Sequence, residues 1–146
     1  MLVQVSFTVT KPPAEVFDFV AARFFDHHPL WDPAIVELTN HTPGPVAVGT
    51  RGTEVRRFMG KQSADFEVTE FVPERRFAFT NTSGPFALDR AYTFEASDRG
   101  TRLAFDFDMT PRQLPVRLLF PLVSKTIASQ VRTNLGNLEK LLSEPA

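Results

Sequence analysis

Cysteine is absent from this chain of 146 residues, which excludes disulfides, thiol nucleophiles and cysteine-based metal sites. Long apolar runs are also absent, since none approaches the roughly 18 residues that a membrane-spanning helix needs. Charge of one sign is not in excess, because 16 basic and 17 acidic residues give a formal net charge of -1. Without a basic excess, general binding of nucleic acid is not expected.

The N-terminal sequence MLVQVSFTV lacks the basic region and the small-residue cleavage site of a signal peptide. We therefore expect a cytoplasmic protein with no stable insertion into a membrane. The length fits one domain, and no linker, repeat or low-complexity tract divides the chain. Residues 1–146 are predicted to form a single domain. Oligomeric state is left open by these observations.

Aromatic residues that carry a polar atom are scarce, with one Tyr and one Trp against 15 Phe. Phe has no hydrogen-bonding group, so it packs in cores or lines apolar cavities. A Phe-rich core is the simpler interpretation, since large apolar side chains are usually buried. An apolar cavity is the functional alternative.

Alternation of apolar and polar residues predicts seven strands, at about residues 2–10, 34–40, 51–59, 62–72, 77–82, 86–96 and 101–109. Most are joined by short turns, which is typical of an antiparallel meander. After the first strand, Pro12 and Pro13 open a short amphipathic helix. Pro29 and Pro33 are predicted to end it within the segment 27–33.

One long amphipathic helix is predicted from about Gln113 to Leu142. Its apolar stripe recurs every three or four residues, at Ile127, Val131, Leu135, Leu138 and Leu142. The segment 116–123 is apolar nearly all round and contains Pro121, so we expect a bend or break near Phe120. Gly136 is unfavourable in a helix by about 1 kcal/mol relative to Ala. Close approach of a neighbouring backbone or a ligand would explain it.

These elements resemble the START-like, birch-pollen-allergen-like superfamily, in particular its polyketide cyclase/dehydrase and lipid-transport branch. The matching pieces are PPAEVFDFVA at 12–21, W-D-P at 31–33, GP-x-x-x-GT at 44–50, V-T-E-F-V-P-E-R-R-F-A-F at 68–79, Y-T-F-E at 92–95, G-T-R-L at 100–103 and N-L-x-x-L-x-K-L at 134–141. The resemblance implies an α+β helix-grip fold. In that fold a seven-stranded curved antiparallel sheet wraps around the long C-terminal helix, two short helices lie between strands 1 and 2, and a deep apolar cavity remains inside. Members bind lipids, sterols, polyketides or hormones, and a minority are enzymes.

Arg90 is the one charged residue on an otherwise apolar strand face, which it shares with Leu88, Tyr92 and Phe94. An antiparallel sheet covered on one side turns its apolar face inward, so Arg90 is predicted to point into the cavity. A buried guanidinium needs a compensating partner. That partner is water reached from the cavity mouth, or Glu54 or Glu70 within the protein, or else the carboxylate, phenolate or carbonyl of a ligand. Tyr92 is either a second donor to that ligand or a core aromatic.

Two other polar groups are weaker candidates. Asp106 and Asp108 alternate with inward-facing apolar residues, which places both on the outer, solvated face. Adjacent His27 and His28 cannot share one helical face and lack metal-ligand spacing, so no metal site is expected. His28 is the best candidate for a general base, because His titrates near neutrality.

Trp31 is either a core anchor or a gate at the cavity entrance. Glu54 is a further candidate for the cavity, although polar residues on both faces of the strand at 50–59 leave its orientation open. The set that we expect to contact a ligand is Arg90, Tyr92, Trp31, His28, Phe66, Phe79, Leu88, Phe94, Phe105, Phe107, Leu119 and Val123.

Binding or transport of a small hydrophobic ligand, with an anionic one included, is the leading interpretation, and no cofactor is expected. The first alternative is a cofactor-independent cyclase or dehydratase, in which Arg90 and Tyr92 polarise a carbonyl while His28 or Glu54 moves a proton. The second is a protein-interaction module similar to the heat-shock ATPase activator homologues. The segment 116–123 is interpreted as packing on the sheet, as a mobile lid, or as a surface for a membrane or a partner.

Overall fold

A single antiparallel sheet and one long helix packed against it make up most of the molecule. The structure is a computed structural model and describes residues 1–145. The strands are β1 (Leu2–Val9), β2 (Ile35–Asn40), β3 (Arg51–Arg57), β4 (Lys61–Val72), β5 (Arg76–Asn81), β6 (Phe86–Ser97) and β7 (Gly100–Pro111). Their order across the sheet is β1-β7-β6-β5-β4-β3-β2. The chain therefore runs as a meander from β2 to β7, and β1 closes the far edge beside β7. The predicted helix-grip fold is confirmed.

The inner face of the sheet follows the predicted alternation. In β6 the side chains of Leu88, Arg90, Tyr92 and Phe94 are buried, whereas their sequence neighbours on the other face are largely exposed. In β7 the outward position of Asp106 is confirmed, since its carboxylate accepts a hydrogen bond of 3.0 Å from the Gln4 side chain of β1. The inward face of β6 and β7 forms one wall of the interior.

The C-terminal helix, α3 (Leu114–Ser143), is continuous. Its buried stripe is the predicted one, from Ile127 to Leu142. Of the expected bend or break near Phe120, the break is wrong, because the helix accommodates Pro121 on an exposed face, where only one backbone hydrogen bond is lost. A neighbouring backbone does not explain Gly136, since no described atom outside the adjacent turns of α3 lies within 4 Å of a Cβ built there.

The segment between β1 and β2 forms α1 (Pro13–Phe17), a π-helical turn at Asp18–Ala22, and α2 (Phe24–Trp31). The helical segment ends at Trp31, within the predicted range 27–33, although Pro29 does not itself stop it and α2 continues two residues further. The Asp32 N–H then donates to the His28 carbonyl at 3.1 Å. This last turn places His28 and Asp32 four residues apart on one helical face.

The core contains most of the phenylalanines, as the simpler interpretation predicted. Phe24 of α2 lies at its centre, with ring centroids 5.3 Å from Phe77 and 5.0 Å from Phe79 on β5. Gly52 on β3 faces the same cluster, and a Cβ built there would lie 2.6 Å from the Phe66 ring. No helix among residues 1–145 is both long and apolar enough to cross a membrane.

Candidate functional site

A cavity of about 120 Å³ lies between the concave face of the sheet and the middle of α3. Its walls are apolar and come from both elements: Leu88, Tyr92, Phe105, Phe107 and Met109 on β6 and β7, and Ile127, Val131 and Leu135 on α3. Exposed Ser63 and Gln130 also line it, which identifies the mouth. An apolar cavity of about 150 Å³ holds benzene in another protein. The present cavity therefore accommodates a body of about one ring.

Four charged side chains meet at one side of this cavity. Arg56 of β3 donates from Nη2 to the Asp32 carboxylate at 2.8 Å and from Nε to the Glu54 carboxylate at 2.9 Å. Arg90 of β6 donates to the other Glu54 oxygen at 3.0 Å. Two carboxylates are thus balanced by two guanidiniums. We call Asp32, Glu54, Arg56 and Arg90 the polar floor.

Arg90 is held from three sides. Besides Glu54, its Nη2 reaches Asn81 Oδ1 at 3.2 Å, and its guanidinium carbon lies 4.4 Å above the centre of the Phe79 ring. Of the two predicted internal partners, Glu54 is the correct one, because Glu70 instead pairs with Arg76 at 2.9 Å. Arg90 is therefore charge-paired before any ligand arrives.

Glu54 is ionised in this setting. Burial alone would raise the pKa of its carboxyl, but the positive charges of Arg90 and then Arg56 outweigh that effect and lower the pKa below its usual range. Burial also raises the pKa of the nearby Tyr92 phenol, which keeps its hydroxyl protonated at neutral pH. Tyr92 is thus a hydrogen-bond donor here and not an anion.

His28 is a neutral imidazole. Burial lowers its pKa to about 4, although Asp32 and Glu54 act in the opposite direction. Its Nε2 lies 3.7 Å from Asp32 Oδ2, too far for a hydrogen bond, and the ring stacks on Phe24 at 4.5 Å between centroids. The interior therefore holds His28 without a charge and without a hydrogen-bond partner for its ring nitrogens.

Five buried side-chain polar atoms among the described residues lack a hydrogen-bond partner within the protein: His28 Nδ1, His28 Nε2, Trp31 Nε1, Asp32 Oδ1 and Arg90 Nε. Every one belongs to a residue that lines the cavity. The Trp31 indole acts to lower the pKa of the nearby Tyr92 phenol, against the larger effect of burial. Its Nε1–H nevertheless makes no hydrogen bond of acceptable geometry. Unpaired buried polar groups are costly, by about 1–3 kcal/mol each. Their clustering indicates that the site receives polar atoms from outside the chain.

A metal ion fits this site poorly. Possible ligand atoms of His28, Asp32 and Glu54, one from each residue, lie within 4.8 Å of one another. However, Arg56 contacts both carboxylates and Arg90 occupies the second Glu54 oxygen. A divalent cation would add to two positive charges that already balance the two negative ones.

The cavity brings together seven residues of the predicted ligand-contact set: His28, Trp31, Leu88, Arg90, Tyr92, Phe105 and Phe107. Five others do not line it. Phe66 and Phe79 belong to the core around Phe24, and Phe94 packs against Phe17, 5.1 Å away between ring centroids. Leu119 and Val123 lie on α3 before the part that reaches the cavity, and Leu119 is half exposed.

Sequence reasoning missed Asp32, Arg56 and Asn81 as site residues. The i, i+4 spacing of His28 and Asp32 was a usable signal, but the helix was expected to end within the segment 27–33, which concealed it. Arg56 shares a strand face with Glu54, so placing Glu54 inward would have placed Arg56 there too. Asn81, at the end of β5, had no local signal.

Comparison with known proteins supports the fold. Residues 2–143 match the family model described as polyketide cyclase / dehydrase and lipid transport. TTHA0849 from Thermus thermophilus superposes with a TM-score of 0.77 at 22% identity, covering 96% of this chain and 95% of that one. The ginseng major latex-like protein 151 from Panax ginseng gives 0.74 at 13% identity, with 99% and 98% covered. The comparison with curated proteins finds no match. At these identities the solved structures show the fold alone.

Proposed function

Because the chain belongs to the polyketide cyclase/dehydrase and lipid transport family, we propose that it binds a small, mainly apolar molecule in the cavity between the sheet and α3. The observation that carries this proposal is the set of unpaired buried polar atoms on cavity-lining residues. A ligand with a ring-sized apolar body and one oxygen-bearing end would satisfy both the walls and these atoms.

Charge balance argues for an uncharged polar end. The guanidiniums of Arg56 and Arg90 are matched by the carboxylates of Asp32 and Glu54, so the polar floor has no net charge to neutralise an anion. The Arg90 Nε–H and Trp31 Nε1–H are free to donate, and Asp32 Oδ1 is free to accept. A hydroxyl can use both kinds of partner, because it donates and accepts.

Two matched probes test the proposal. We expect 4-propylphenol to bind in isothermal titration calorimetry about tenfold more tightly than propylbenzene, since a hydrogen bond to a charged group contributes about 1.5–3 kcal/mol. Equal affinity of the two probes would show that the polar floor is not used. Binding of neither would refute a ring-sized ligand. Native mass spectrometry of the freshly purified protein would show whether a natural ligand of this class co-purifies.

A pair of substitutions on α3 locates the binding site. Val131→Phe adds volume at the cavity wall and is expected to abolish binding of 4-propylphenol. Val123→Phe makes the same change two turns earlier, outside the cavity lining, and is expected to leave affinity unchanged. A similar loss in both variants would indicate that the effect is not local.

A cofactor-independent enzyme of the cyclase or dehydratase type is the second candidate, and His28 is the observation that favours it. Its ring has no hydrogen-bond partner and lines the cavity, so one ring nitrogen can accept a proton from a substrate, although a pKa of about 4 makes it a weak base at neutral pH. Glu54 is a poor base, because guanidiniums contact both of its oxygens. Tyr92 and Arg90 would then polarise the carbonyl beside the proton that leaves.

Hydrogen–deuterium exchange of 1-phenyl-1,3-butanedione in D₂O, followed by NMR, separates the two candidates. An acid–base site would accelerate exchange at the carbon between the carbonyls, and His28→Gln would remove the acceleration. An exchange rate with the wild-type protein that is no higher than the rate in buffer would leave binding as the supported function.

A further inference from the structure

The first half of α3 carries exposed apolar side chains on the face that points away from the sheet. Leu114, Leu118 and Leu122 are 68%, 72% and 77% exposed. Leu118 precedes buried Ile127 by nine residues and Leu122 precedes buried Val131 by nine (127 − 118 and 131 − 122), which is two and a half turns. These leucines therefore lie opposite the face that α3 buries, and we call Leu114, Leu118 and Leu122 the leucine stripe. The interpretation that the segment 116–123 packs on the sheet is wrong for Leu118 and Leu122.

The charge around the leucine stripe has one sign. Between Asp108 and Glu139 the chain contains four basic residues and no acidic one: Arg112, Arg117, Lys125 and Arg132. The whole chain has a formal net charge of -1, so this concentration of positive charge is local. Exposed leucines accompanied by basic side chains on one helix are the combination that binds the interface of an anionic lipid bilayer.

The helical segment that carries the stripe also borders the cavity. Phe120 of the same helical segment packs against Phe86, with ring centroids 6.1 Å apart, and Phe86 lines the cavity. The turn between β3 and β4 borders the same cavity through Phe58 and carries Met59, which is 72% exposed and two residues before Lys61. Two elements that border the cavity thus combine exposed apolar and basic side chains.

We propose that the leucine stripe of α3 docks the protein onto an anionic lipid surface, with the cavity mouth close to that surface. A second copy of the chain is a poorer occupant, because a twofold contact would bring Arg117 and Lys125 against the same charges of the other copy. Docking does not require the cavity to be filled. Its test is therefore independent of the proposed ligand.

Flotation with vesicles tests this docking. We expect the protein to float with phosphatidylcholine vesicles that contain about 30% phosphatidylglycerol, but not with phosphatidylcholine alone or at high salt. Arg117→Glu/Lys125→Glu should reduce partitioning at least fivefold per residue, which corresponds to about 1 kcal/mol for each basic side chain near the surface. Leu118→Asp/Leu122→Asp should reduce it at least tenfold, because each leucine loses its apolar contact.

The matched control is Val72→Asp, an exposed apolar side chain at the end of β4, which should float like the wild type. Far-UV circular dichroism and thermal denaturation verify folding of every variant. Failure of the wild type to float, or an equal loss with Val72→Asp, would overturn the proposal. The proposal would also be overturned if the wild type sediments as a dimer and binds no vesicles, while Leu118→Asp/Leu122→Asp is monomeric. The stripe would then join two copies of the chain.

Discussion

His28 should make the folded state less stable in mild acid. The unfolded chain binds a proton at this residue near the ordinary His pKa of 6.5, whereas the native state resists protonation until about pH 4. Between these values the unfolded state holds more protons, so the free energy of unfolding falls as the pH is lowered from about 6.5 to about 4. The difference of about 2.5 pKa units corresponds to about 3 kcal/mol at 1.36 kcal/mol per unit.

Urea denaturation followed by circular dichroism at about pH 7.5, 6.5, 5.5 and 4.5 measures this effect. The informative quantity is the difference in unfolding free energy between the wild type and His28→Gln at each pH, because the carboxylates titrate in both proteins. We expect the wild type to lose about 2.5 kcal/mol relative to the variant between pH 7.5 and 4.5, because the native pKa of about 4 lies just below this interval. The same substitution at exposed His41 is the matched control.

A difference between wild type and His28→Gln that stays constant from pH 7.5 to 4.5 would refute the reasoning. It would mean that His28 is protonated equally easily in the folded and unfolded chains. An increase in wild-type stability relative to the variant in acid would refute it more strongly. That result would indicate a charged His28 paired with Asp32, in place of the neutral ring that its burial implies.

Four substitutions test the polar floor and two glycines. Glu54→Leu should lower the free energy of unfolding, measured by urea denaturation, by about 3–5 kcal/mol, because it leaves Arg90 and Arg56 with one carboxylate between them. Adding Arg90→Leu should restore part of that loss. A single variant as stable as the double variant would contradict this expectation. Gly52→Ala should lower the free energy of unfolding by about 1–3 kcal/mol, because the added Cβ would lie only 2.6–2.9 Å from two neighbouring rings and a backbone oxygen. Gly136→Ala, with open space around its Cβ, should instead raise the unfolding free energy by about 1 kcal/mol, and a loss there would reveal a contact that the structure lacks.

Local periodicity was sufficient to predict most elements and their buried faces. The alternation in β6 placed Arg90 inward correctly, because a strand offers only two faces and one of them was apolar. The recurring apolar residues of α3 identified its buried stripe in the same way. The order of these elements, together with the short motifs, was enough to indicate the helix-grip fold.

Proline was the main source of error in the predicted elements. Pro29, with Pro33, was expected to end the first helical segment and Pro121 to bend or break the last helix, yet α2 continues past Pro29 to Trp31 and α3 is unbroken at Pro121. The cost of one lost hydrogen bond is small beside the packing of a whole helix on the sheet. The same error hid the i, i+4 placement of His28 and Asp32.

In β6, β7 and α3 the sequence by itself determined which side chains face the interior, because that depends on repeats of two or 3.6 residues along the chain. Only the tertiary structure decided which of them share the cavity. Phe94 and Tyr92 point to the same face of β6, yet Phe94 packs against Phe17 while Tyr92 lines the cavity. Arg90 meets Glu54, which is 36 positions away in the chain, although two strands separate β6 from β3 on the concave sheet. Such long-range proximity is set by sheet curvature and by the placement of α2 and α3, which no local pattern encodes.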